Sequence, residues 1–480
     1  TDAMESLSLK GREQFDEPYF LAIDLANYYQ SRQAYDRALR ELIILIQNQK
    51  QYLRYATDRI LIMSDDTSSH AIIDSILIRN QKDESELGEI LAAFYYKIGD
   101  FQKSFDQYKL IDMNLNKDKW IRFSEDLRKE KEYALSIEAY HLMLEGIKTS
   151  EPSLIGKILL GLGKAYEDQI IQKRSQLQFV RWYPENSFFN NQLIDQSLLI
   201  NNESLASSLE HYQSILALMP NTRSSAEVHY RLAQIQSRIM RDFFAARSSF
   251  EIALKLNPST DLRKKIQNEI GNLLIFSGKY DEAIQYFKPE ANEEFSYRTV
   301  GYINSLLYSS QIDSAVAFLD SNILKANPNE AHFNDIFEIH DMIIDYYTDG
   351  TREDKLAFEL FFKAEKLINE FDVKGAVKVL QTIEMDYNDS LVSPLASLRL
   401  AFIFIDLKQY DKSLEYALAV SATSLKDKGL ALAAEIEEHF LKSKDNALQY
   451  YYRLLSESPN SILSEPVRLH IRKISQPNES

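Results

Sequence analysis

The sequence of 480 residues contains no cysteine. This absence excludes disulfide bonds, thiolate metal ligands and thiol nucleophiles. A chain of this length without cysteine is unusual, which favours an oxidising compartment where stray thiols are a hazard. The chain begins Thr1-Asp2-Ala3-Met4, without an initiator methionine. We therefore expect either an excised piece of a longer chain or a mature form whose targeting segment has been removed, with a lipid anchor upstream as one form of the second.

Glycine and proline are scarce, with 13 and 11 residues, whereas hydrophobic residues make up 45% of the chain. This composition excludes collagen-like, low-complexity and wholly disordered chains, and it favours helices. Apolar runs such as Leu42–Ile46 and Phe402–Ile405 are far shorter than the roughly 18 residues that a membrane-spanning helix needs. We therefore expect no transmembrane segment in this chain.

Basic residues are fewer than acidic ones. The chain has 55 Lys and Arg residues and 71 Asp and Glu residues, for a net charge of −16. Such a surface repels phosphate, and no basic patch offsets it, so we expect no nucleic-acid partner. Residues 331–390 contain 14 acidic and 6 basic side chains, which is half of the excess. This stretch is either a solvated acidic face or a docking site for a basic partner.

An apolar ladder recurs along the chain. Its first copy lies at Leu25, Ala26, Tyr29, Tyr35, Ala38, Leu42 and Leu45. It returns 66 residues later, or two periods of 33, at Leu91, Ala92, Tyr95, Phe101, Ser104, Tyr108 and Ile111. The spacing indicates two amphipathic helices joined by a short connection. Recurrence at a fixed period is typical of a repeat protein.

The ladder resembles the tetratricopeptide repeat family, in which small and aromatic residues pack paired helices and a proline often ends the unit. Four prolines stand at such ends: Pro220, Pro258, Pro328 and Pro459. The resemblance covers most of the chain. It gives about ten to twelve units, near 19–50, 51–84, 85–115, 117–148, 156–220, 227–260, 264–295, 296–328, 331–390, 394–425 and 428–460. Some small positions, where the family pattern has a small residue that lets paired helices approach, carry serine. Examples are Ser104, Ser136 and Ser413, so these units are degenerate.

The resemblance implies an all-α fold, a right-handed α-solenoid superhelix whose concave surface is lined mainly by the first helix of each hairpin. Gly99 and Gly278 are predicted to take the left-handed conformation at tight connections between paired helices. A break in the period at 328–355 predicts an N-terminal solenoid over 1–330 and a C-terminal solenoid over 331–480. We expect a capping helix from Ser464 to close the last repeat.

Residues 167–203 exceed the repeat period. Their sequence predicts a polar helix that continues to about Val180 and then an aromatic loop containing Trp182, Tyr183, Phe188 and Phe189. Insertions in solenoids map to loops and often to binding faces. Two interpretations stay open, because these aromatic residues either fold back to cover the solenoid or contact a partner.

The sequence contains no nucleotide-binding glycine loop and no HExxH motif, so we predict no enzyme activity, no catalytic residues and no cofactor. The eight histidines are scattered. His332 and His340 lie eight residues apart with Asp335 and Glu338 between them, which is the weak case for a metal site. We predict no metal.

Proteins of the family that this chain resembles hold extended peptides through first-helix side chains, commonly Asn or Lys on successive units. The resemblance implies a partner-binding groove for an acidic or C-terminal carboxylate segment. Its predicted residues are Arg231, Gln234, Arg238, Lys265, Asn268, Asn272, Tyr297, Asn304 and Tyr308. The alternative is that these residues bind nothing and are simply the polar side chains expected at any exposed first-helix position.

These observations predict a non-enzymatic scaffold or adaptor that binds partner proteins or extended peptide segments. Missing cysteine and the N-terminus favour the bacterial periplasm or envelope, as in repeat lipoproteins of assembly or secretion complexes, with a cytoplasmic location as the alternative. Two other functions stay open: a ligand- or peptide-sensing part of a larger regulator or enzyme, and a glycan-binding solenoid that uses the 28 tyrosines and 25 phenylalanines for stacking.

Overall fold

The structure is a computed structural model. It describes residues 2–81, 85–111, 116–146, 151–170, 177–180, 182–189, 200–219, 221–289, 297–329 and 332–475. These ranges contain helices and connections but no β-strand. The predicted all-α class is therefore confirmed over the part of the chain that is described.

The helices are numbered in chain order. The first half comprises α1 Asp2–Phe15, α2 Ala22–Ser31, α3 Tyr35–Asn48, α4 Leu53–Met63, α5 His70–Asn80, α6 Ser85–Lys97, α7 Phe101–Tyr108, α8 Lys117–Lys129, α9 Tyr133–Gly146, α10 Pro152–Glu167, α11 Trp182–Glu185 and α12 Asn202–Leu218. The second half comprises α13 Arg223–Arg238, α14 Phe243–Lys255, α15 Thr260–Phe276, α16 Tyr280–Phe287, α17 Tyr297–Tyr308, α18 Ile312–Asn322, α19 Phe333–Ile343, α20 Arg352–Asn369, α21 Val373–Asp386, α22 Ser393–Asp406, α23 Tyr410–Val420, α24 Lys426–His439, α25 Lys444–Glu457 and α26 Ser464–Ser475.

Consecutive helices pack as antiparallel hairpins, and neighbouring hairpins pack on each other, as α14 does on α15, α21 on α22 and α23 on α24. In the described ranges such hairpins include α2–α3, α6–α7, α8–α9, α13–α14, α15–α16, α17–α18, α20–α21, α22–α23 and α24–α25. A hairpin buries its apolar stripe only by stacking on its neighbours, which is the physical basis of a solenoid. The hairpins resemble the tetratricopeptide-type repeats that the sequence predicts, and α26 forms the predicted cap from Ser464.

Glycines at the small positions let aromatic rings fill the space between helices. A Cβ atom on Gly271 would lie 2.2 Å from Cζ of Phe287, and one on Gly301 would lie 2.7 Å from the same ring. Phe287 is fully buried. The ring therefore occupies the volume that both glycines leave empty, and α15, α16 and α17 approach closely around it.

Serine at the small positions adds a hydrogen bond between paired helices. Ser104 Oγ donates to the carbonyl oxygen of Ala92 at 2.8 Å. The same bond, across 12 residues of sequence, joins Ser136 to Ser124 at 2.8 Å and Ser413 to Ala401 at 2.7 Å. The serines that make the repeats look degenerate thus satisfy their buried hydroxyl groups on the facing helix.

The connections inside two hairpins need a positive φ angle. Gly99 has φ 82° and Gly278 has φ 70°. Glycine takes this region without steric cost because it has no Cβ atom. The predicted left-handed glycines between α6 and α7 and between α15 and α16 are therefore confirmed.

The chain forms two compact units whose boundary differs from the predicted one. Unit 1 contains residues 1–169 and 204–219, and unit 2 contains residues 170–203 and 220–480. The predicted division at 330 is wrong because one hydrophobic core in unit 2 includes residues on both sides of it, from Leu319 to Ile336 and beyond. The irregular stretch at 328–355 contains α19 and one π-helical turn rather than a domain boundary.

The insertion separates the two helices of one hairpin in unit 1. A Cβ atom on Gly163 of α10 would lie 2.3 Å from the Tyr212 ring of α12. Ser208 Oγ donates to the Gly163 carbonyl oxygen at 3.1 Å. The interrupted unit at 156–220 is thus a real helix pair. The predicted helix through Val180 is wrong, because α10 ends at Glu167 and residues 177–180 are not helical.

Candidate functional site: an inserted strap on the first-helix face of unit 2

Part of the insertion lies against the first helices of unit 2. We call residues 177–180 and 182–189 the inserted strap. The surface of α19, α20, α22 and α24 that they cover is the first-helix face. Six strap side chains join the hydrophobic core of unit 2: Leu177, Phe179, Val180, Tyr183, Phe188 and Phe189. The strap therefore packs into this core.

The carboxylate of Glu435 on α24 binds the beginning of the strap. It accepts hydrogen bonds from the backbone N–H groups of Gln178, of Phe179 at 2.9 Å and of Val180 at 3.2 Å. Glu435 has no exposed surface. Burial raises the pKa of Glu435 to about 7, although the three N–H groups act in the opposite direction. A buried carboxylate is thus satisfied by peptide backbone alone.

The middle of the strap lies on α22. The Tyr183 hydroxyl donates to the Leu395 carbonyl oxygen at 2.9 Å, and the Tyr183 ring lies 5.5 Å from that of Phe402. Above the same ring lies the Arg399 guanidinium, 4.6 Å from its centroid. Burial raises the pKa of Tyr183 well above its ordinary value. The phenol therefore acts as a neutral hydrogen-bond donor.

A buried ion pair supports the end of the strap. Arg399 Nε and Nη2 each donate to an oxygen of Glu365 on α20 at 2.7 Å. Arg399 Nη2 also donates to the Phe189 carbonyl oxygen at 3.3 Å. The Phe189 ring packs against Phe361 and Phe362 of α20, with centroids 6.0 and 6.1 Å away. The end of the strap thus contacts both the Arg399 guanidinium and the rings of Phe361 and Phe362.

Two strap side chains bind the acidic face of α19. Asn186 Nδ2 donates to Glu338 Oε2 at 3.0 Å, and the Ser187 backbone N–H donates to Asp335 Oδ2 at 2.9 Å. Ser187 Oγ lies 2.6 Å from Nδ1 of His332. Part of the acidic excess in 331–390 therefore binds the chain's own insertion.

The residues considered for a metal have separate partners. His332 contacts the strap, whereas His340 Nε2 lies 2.9 Å from Asp320 Oδ1 on α18. In the described ranges, no group of three His, Asp or Glu side chains is arranged to hold a metal ion. None of the helices in those ranges combines the length and apolar character needed to cross a membrane.

The strap runs opposite to the order of the repeats. The Phe179 ring lies 5.6 Å from Tyr451 of α25 and 5.3 Å from His470 of α26, whereas the Phe188 carbonyl oxygen accepts from the Tyr308 hydroxyl of α17 at 3.5 Å. Of the two interpretations of the aromatic loop, the structure shows that Tyr183, Phe188 and Phe189 fold back onto the solenoid. The side chain of Trp182 lies outside the described residues.

The predicted groove residues lie on α13, α15 and α17. Three of them have partners within unit 2: Arg231 Nε binds Glu227 Oε1 at 3.0 Å, Gln234 Nε2 donates to the Tyr230 hydroxyl at 3.0 Å, and Arg238 Nη2 binds Glu269 Oε1 at 2.7 Å. The last pair joins α13 to α15. These three side chains therefore bind partners within unit 2 in addition to forming part of its surface.

The remaining groove residues differ in exposure. Lys265 is exposed, and Asn268, Asn272 and Asn304 are half-buried. The Oδ1 atoms of Asn268 and Asn304 are buried and have no hydrogen-bond donor in the described structure.

One predicted groove residue belongs to the core. Tyr308 is only 4% exposed, and Asn369 Nδ2 donates to its hydroxyl at 2.9 Å. It supports the strap from below, so its assignment to an open groove is corrected. The side chain of Tyr297 lies outside the described residues.

The repeat pattern did not predict Glu435 and Arg399, which bind the strap backbone, or Glu365, which binds Arg399. All three lie on first helices and are at most 3% exposed. Charged residues inside otherwise apolar helix stripes were the available signal, because buried charges require partners.

Comparisons with known proteins return helical repeat structures at low similarity. No family model and no curated protein matches the sequence. The yeast Tom70 structure has 13% identity and a TM-score of 0.26, covering 97% of this chain and 100% of that chain. The P58(IPK) TPR domain has 13% identity and a TM-score of 0.21, covering 93% and 100%.

A third similar structure is Naa15/Naa10 bound to HypK-THB, with 13% identity and a TM-score of 0.32, covering 94% of this chain. The chain spans 66% of the length of that relative. Neighbour-to-neighbour hairpins and rings packed on small residues give this chain an all-α repeat architecture that resembles the α-solenoids of tetratricopeptide-type repeats.

Proposed function

We propose that this protein is a non-enzymatic scaffold that binds an extended polypeptide segment on α13, α15 and α17 of unit 2. The observation that carries the proposal is the pair of buried amide oxygens on Asn268 and Asn304. A buried acceptor without a donor costs about 1–3 kcal/mol. Backbone N–H groups of a bound segment remove this cost when the side-chain amides of Asn268 and Asn304 rotate and accept hydrogen bonds from them.

The arrangement of the other groups supports a peptide as the ligand. Asn268 and Asn272 are four residues apart on α15, so they share one face of the helix. Asn304 lies on α17, which packs against α15. Exposed Lys265 supplies a positive charge at the same helix, which suits an acidic or C-terminal carboxylate segment.

The test is a crosslinking pull-down from native cells with the full chain and with an Asn268→Ala, Asn304→Ala variant. We expect one abundant partner to be recovered by the wild type. Its binding segment should then bind the variant at least about tenfold more weakly, as for loss of paired backbone contacts. Unchanged affinity for a folded variant contradicts this site.

The matched control is Asn322→Ala. Asn322 is an asparagine on α18, the second helix of the hairpin that contains Asn304, and its Nδ2 donates to the Phe318 carbonyl oxygen at 2.8 Å. This variant removes an amide away from the proposed surface, so the partner's affinity should stay at the wild-type value. Circular dichroism of each variant confirms that the helices are retained.

The bacterial envelope location is part of the proposal and is supported by the missing cysteines alone. Fractionation of native cells tests it. Recovery in the periplasmic or membrane fraction supports it, and recovery in the cytoplasm contradicts it. The regulatory and glycan-binding alternatives are tested by the same pull-down, since they predict a covalently continuous effector domain or a bound polysaccharide in place of a partner protein.

A further inference from the structure

The inserted strap contacts the first-helix face as a bound polypeptide does. Glu435 on α24 and Asp335 on α19 accept hydrogen bonds from its backbone N–H groups. Arg399 on α22 donates to its backbone carbonyl oxygen, at Phe189. Recognition of an extended segment combines such main-chain bonds with pockets for a few side chains. Tyr183 and Phe189 are the side chains that fill the pockets.

The hairpins below the strap have their own packing. Helices α20 and α21, α22 and α23, and α24 and α25 contact each other directly. Ser413 of α23 donates to the Ala401 carbonyl oxygen of α22, and Tyr451 of α25 donates to Glu438 of α24 at 2.9 Å. None of these bonds includes a strap residue. The hairpin that the insertion interrupts is also closed by its own contacts between α10 and α12.

The first-helix face has charged side chains that are buried beneath the strap, although a permanent hydrophobic core does not need charged groups. Glu435, Glu365 and Arg399 are at most 3% exposed beneath the strap. Replacing a buried ion pair by apolar residues is often neutral or stabilising, so stability alone does not require these groups. Glu435 and Arg399 bind the strap backbone, so these two groups need new hydrogen-bond partners from water or from another polypeptide when the strap leaves.

We propose that the first-helix face is a second polypeptide-binding site, on α19, α20, α22 and α24, and that residues 177–189 are its resident intramolecular ligand. The external ligand is an extended segment that presents backbone N–H groups to Glu435 and aromatic side chains to the pockets of Tyr183 and Phe189. It binds by displacing the strap. This site is distinct from the surface proposed on α13, α15 and α17, and each is tested separately.

The experiment converts the strap into a separate peptide. A protease recognition sequence is inserted on each side of it, within 171–176 and within 191–199 of the full chain. After cleavage, the protein is incubated with a fluorescent synthetic peptide of residues 177–189, and binding is followed by anisotropy and size-exclusion chromatography. We expect the cut protein to take up the peptide and the uncut protein to take up at least about tenfold less, because the tethered strap competes at high effective concentration.

Two controls keep the result specific. A peptide with Tyr183→Ala and Phe189→Ala should bind at least about tenfold more weakly, since buried aromatic anchors dominate such interfaces. A double Glu365→Leu, Arg399→Met change in the cut protein should also weaken uptake, because it removes the donor to the Phe189 carbonyl together with the buried carboxylate that this donor neutralises.

Three outcomes overturn the proposal. The first is a cut protein that keeps its helical circular dichroism and never exchanges the peptide. The second is loss of helical structure when the strap is cut or displaced, which makes the strap a permanent structural element. The third is equal uptake of the wild-type and double-alanine peptides. Peptide exchange into a helical cut protein, with the expected loss for the double-alanine peptide, supports it.

Discussion

Arg399 and Glu365 form a bidentate ion pair on the interior of unit 2, with both N–O distances 2.7 Å. Arg399 is 3% exposed and Glu365 is fully buried. Burial acts to lower the pKa of Arg399, and the adjacent Glu365 carboxylate outweighs it and raises that pKa. The arginine therefore stays charged and connects α20, α22 and the strap.

Removing one member of this pair should destabilise the protein strongly. Glu365→Leu removes the bidentate carboxylate from the buried Arg399 charge, and we expect a loss of about 3–5 kcal/mol in the free energy of unfolding. The double variant Glu365→Leu, Arg399→Met should recover most of the loss, apart from about 1 kcal/mol for the bond to the Phe189 carbonyl. Urea unfolding of the full chain measures both changes.

The control for this prediction is the exposed pair between Arg247 and Glu251 on α14, which lie 3.1 Å apart with side chains 54% and 50% exposed. Glu251→Ala should change the free energy of unfolding by less than about 0.5 kcal/mol, because solvent screens the attraction. A cost for Glu365→Leu as small as that for Glu251→Ala contradicts the structural role of the buried pair.

Glu435 should make the stability of unit 2 depend on pH. Its folded pKa of about 7 lies above the ordinary value of 4.5. The folded state therefore favours the protonated form, so this stabilisation is complete below about pH 4.5 and is lost as pH rises through 7. Glu435→Gln should match the wild type at pH 4.5 and exceed its stability at pH 8.5 by up to about 3 kcal/mol.

Urea unfolding of both proteins between pH 4.5 and 8.5 measures this difference. Ser413→Ala is a suitable comparison, since it changes a buried group that does not titrate and should cost the same amount at each pH. A stability difference between Glu435→Gln and wild type that is constant over the range contradicts the assigned titration. The neighbouring Glu438 adds to the raised pKa of Glu435, so Glu438→Gln should shift the transition to lower pH.

Two helical glycines should respond oppositely to alanine. Gly271→Ala places a methyl group 2.2 Å from the buried Phe287 ring, and we expect a loss of about 1–3 kcal/mol through overpacking. A methyl group on Gly88 of α6 would meet no packed neighbour within 4 Å. Gly88→Ala should stabilise the protein by about 0.5–1 kcal/mol through helix propensity. Thermal unfolding of the two variants tests the contrast, and equal effects contradict it.

Asn304→Ala should leave stability close to that of the wild type. The Asn304 Oδ1 atom accepts no hydrogen bond, so its removal loses none. The gain from removing an unsatisfied acceptor is offset by the loss of side-chain packing, so we expect a net change of less than about 0.5 kcal/mol. Asn322→Ala breaks the bond to the Phe318 carbonyl and should cost about 0.5–1.5 kcal/mol. Differential scanning calorimetry compares the two. A larger cost for Asn304→Ala assigns that residue to packing rather than to binding.

Much of the fold follows from local sequence pattern. The ladder at Leu25, Ala26 and Tyr29 predicts the buried face of α2, and all three residues are at most 6% exposed. The glycines at 99 and 278 predict the turns. These features depend on residues within one or two helical turns of each other, so periodicity and steric rules are enough to recognise them.

The site was predicted less completely. The sequence identified the insertion and its aromatic residues but placed Tyr308 in an open groove, although that residue is buried beneath the strap. It also divided the chain at 330, where one core continues. A break in periodicity marks an irregular segment, but only the packing around it decides whether that segment separates two cores.

By itself the sequence determined an all-α chain of helical hairpins, because each hairpin is specified by contacts between residues that are close in the chain. Only the tertiary structure decided where the insertion lies. Glu435 binds the backbone at Gln178 across 257 residues, and Arg399 binds Phe189 across 210. Such pairs join a backbone group to a side chain on a distant repeat. They have no spacing signature, since they depend on how the stacked helices bring those groups together.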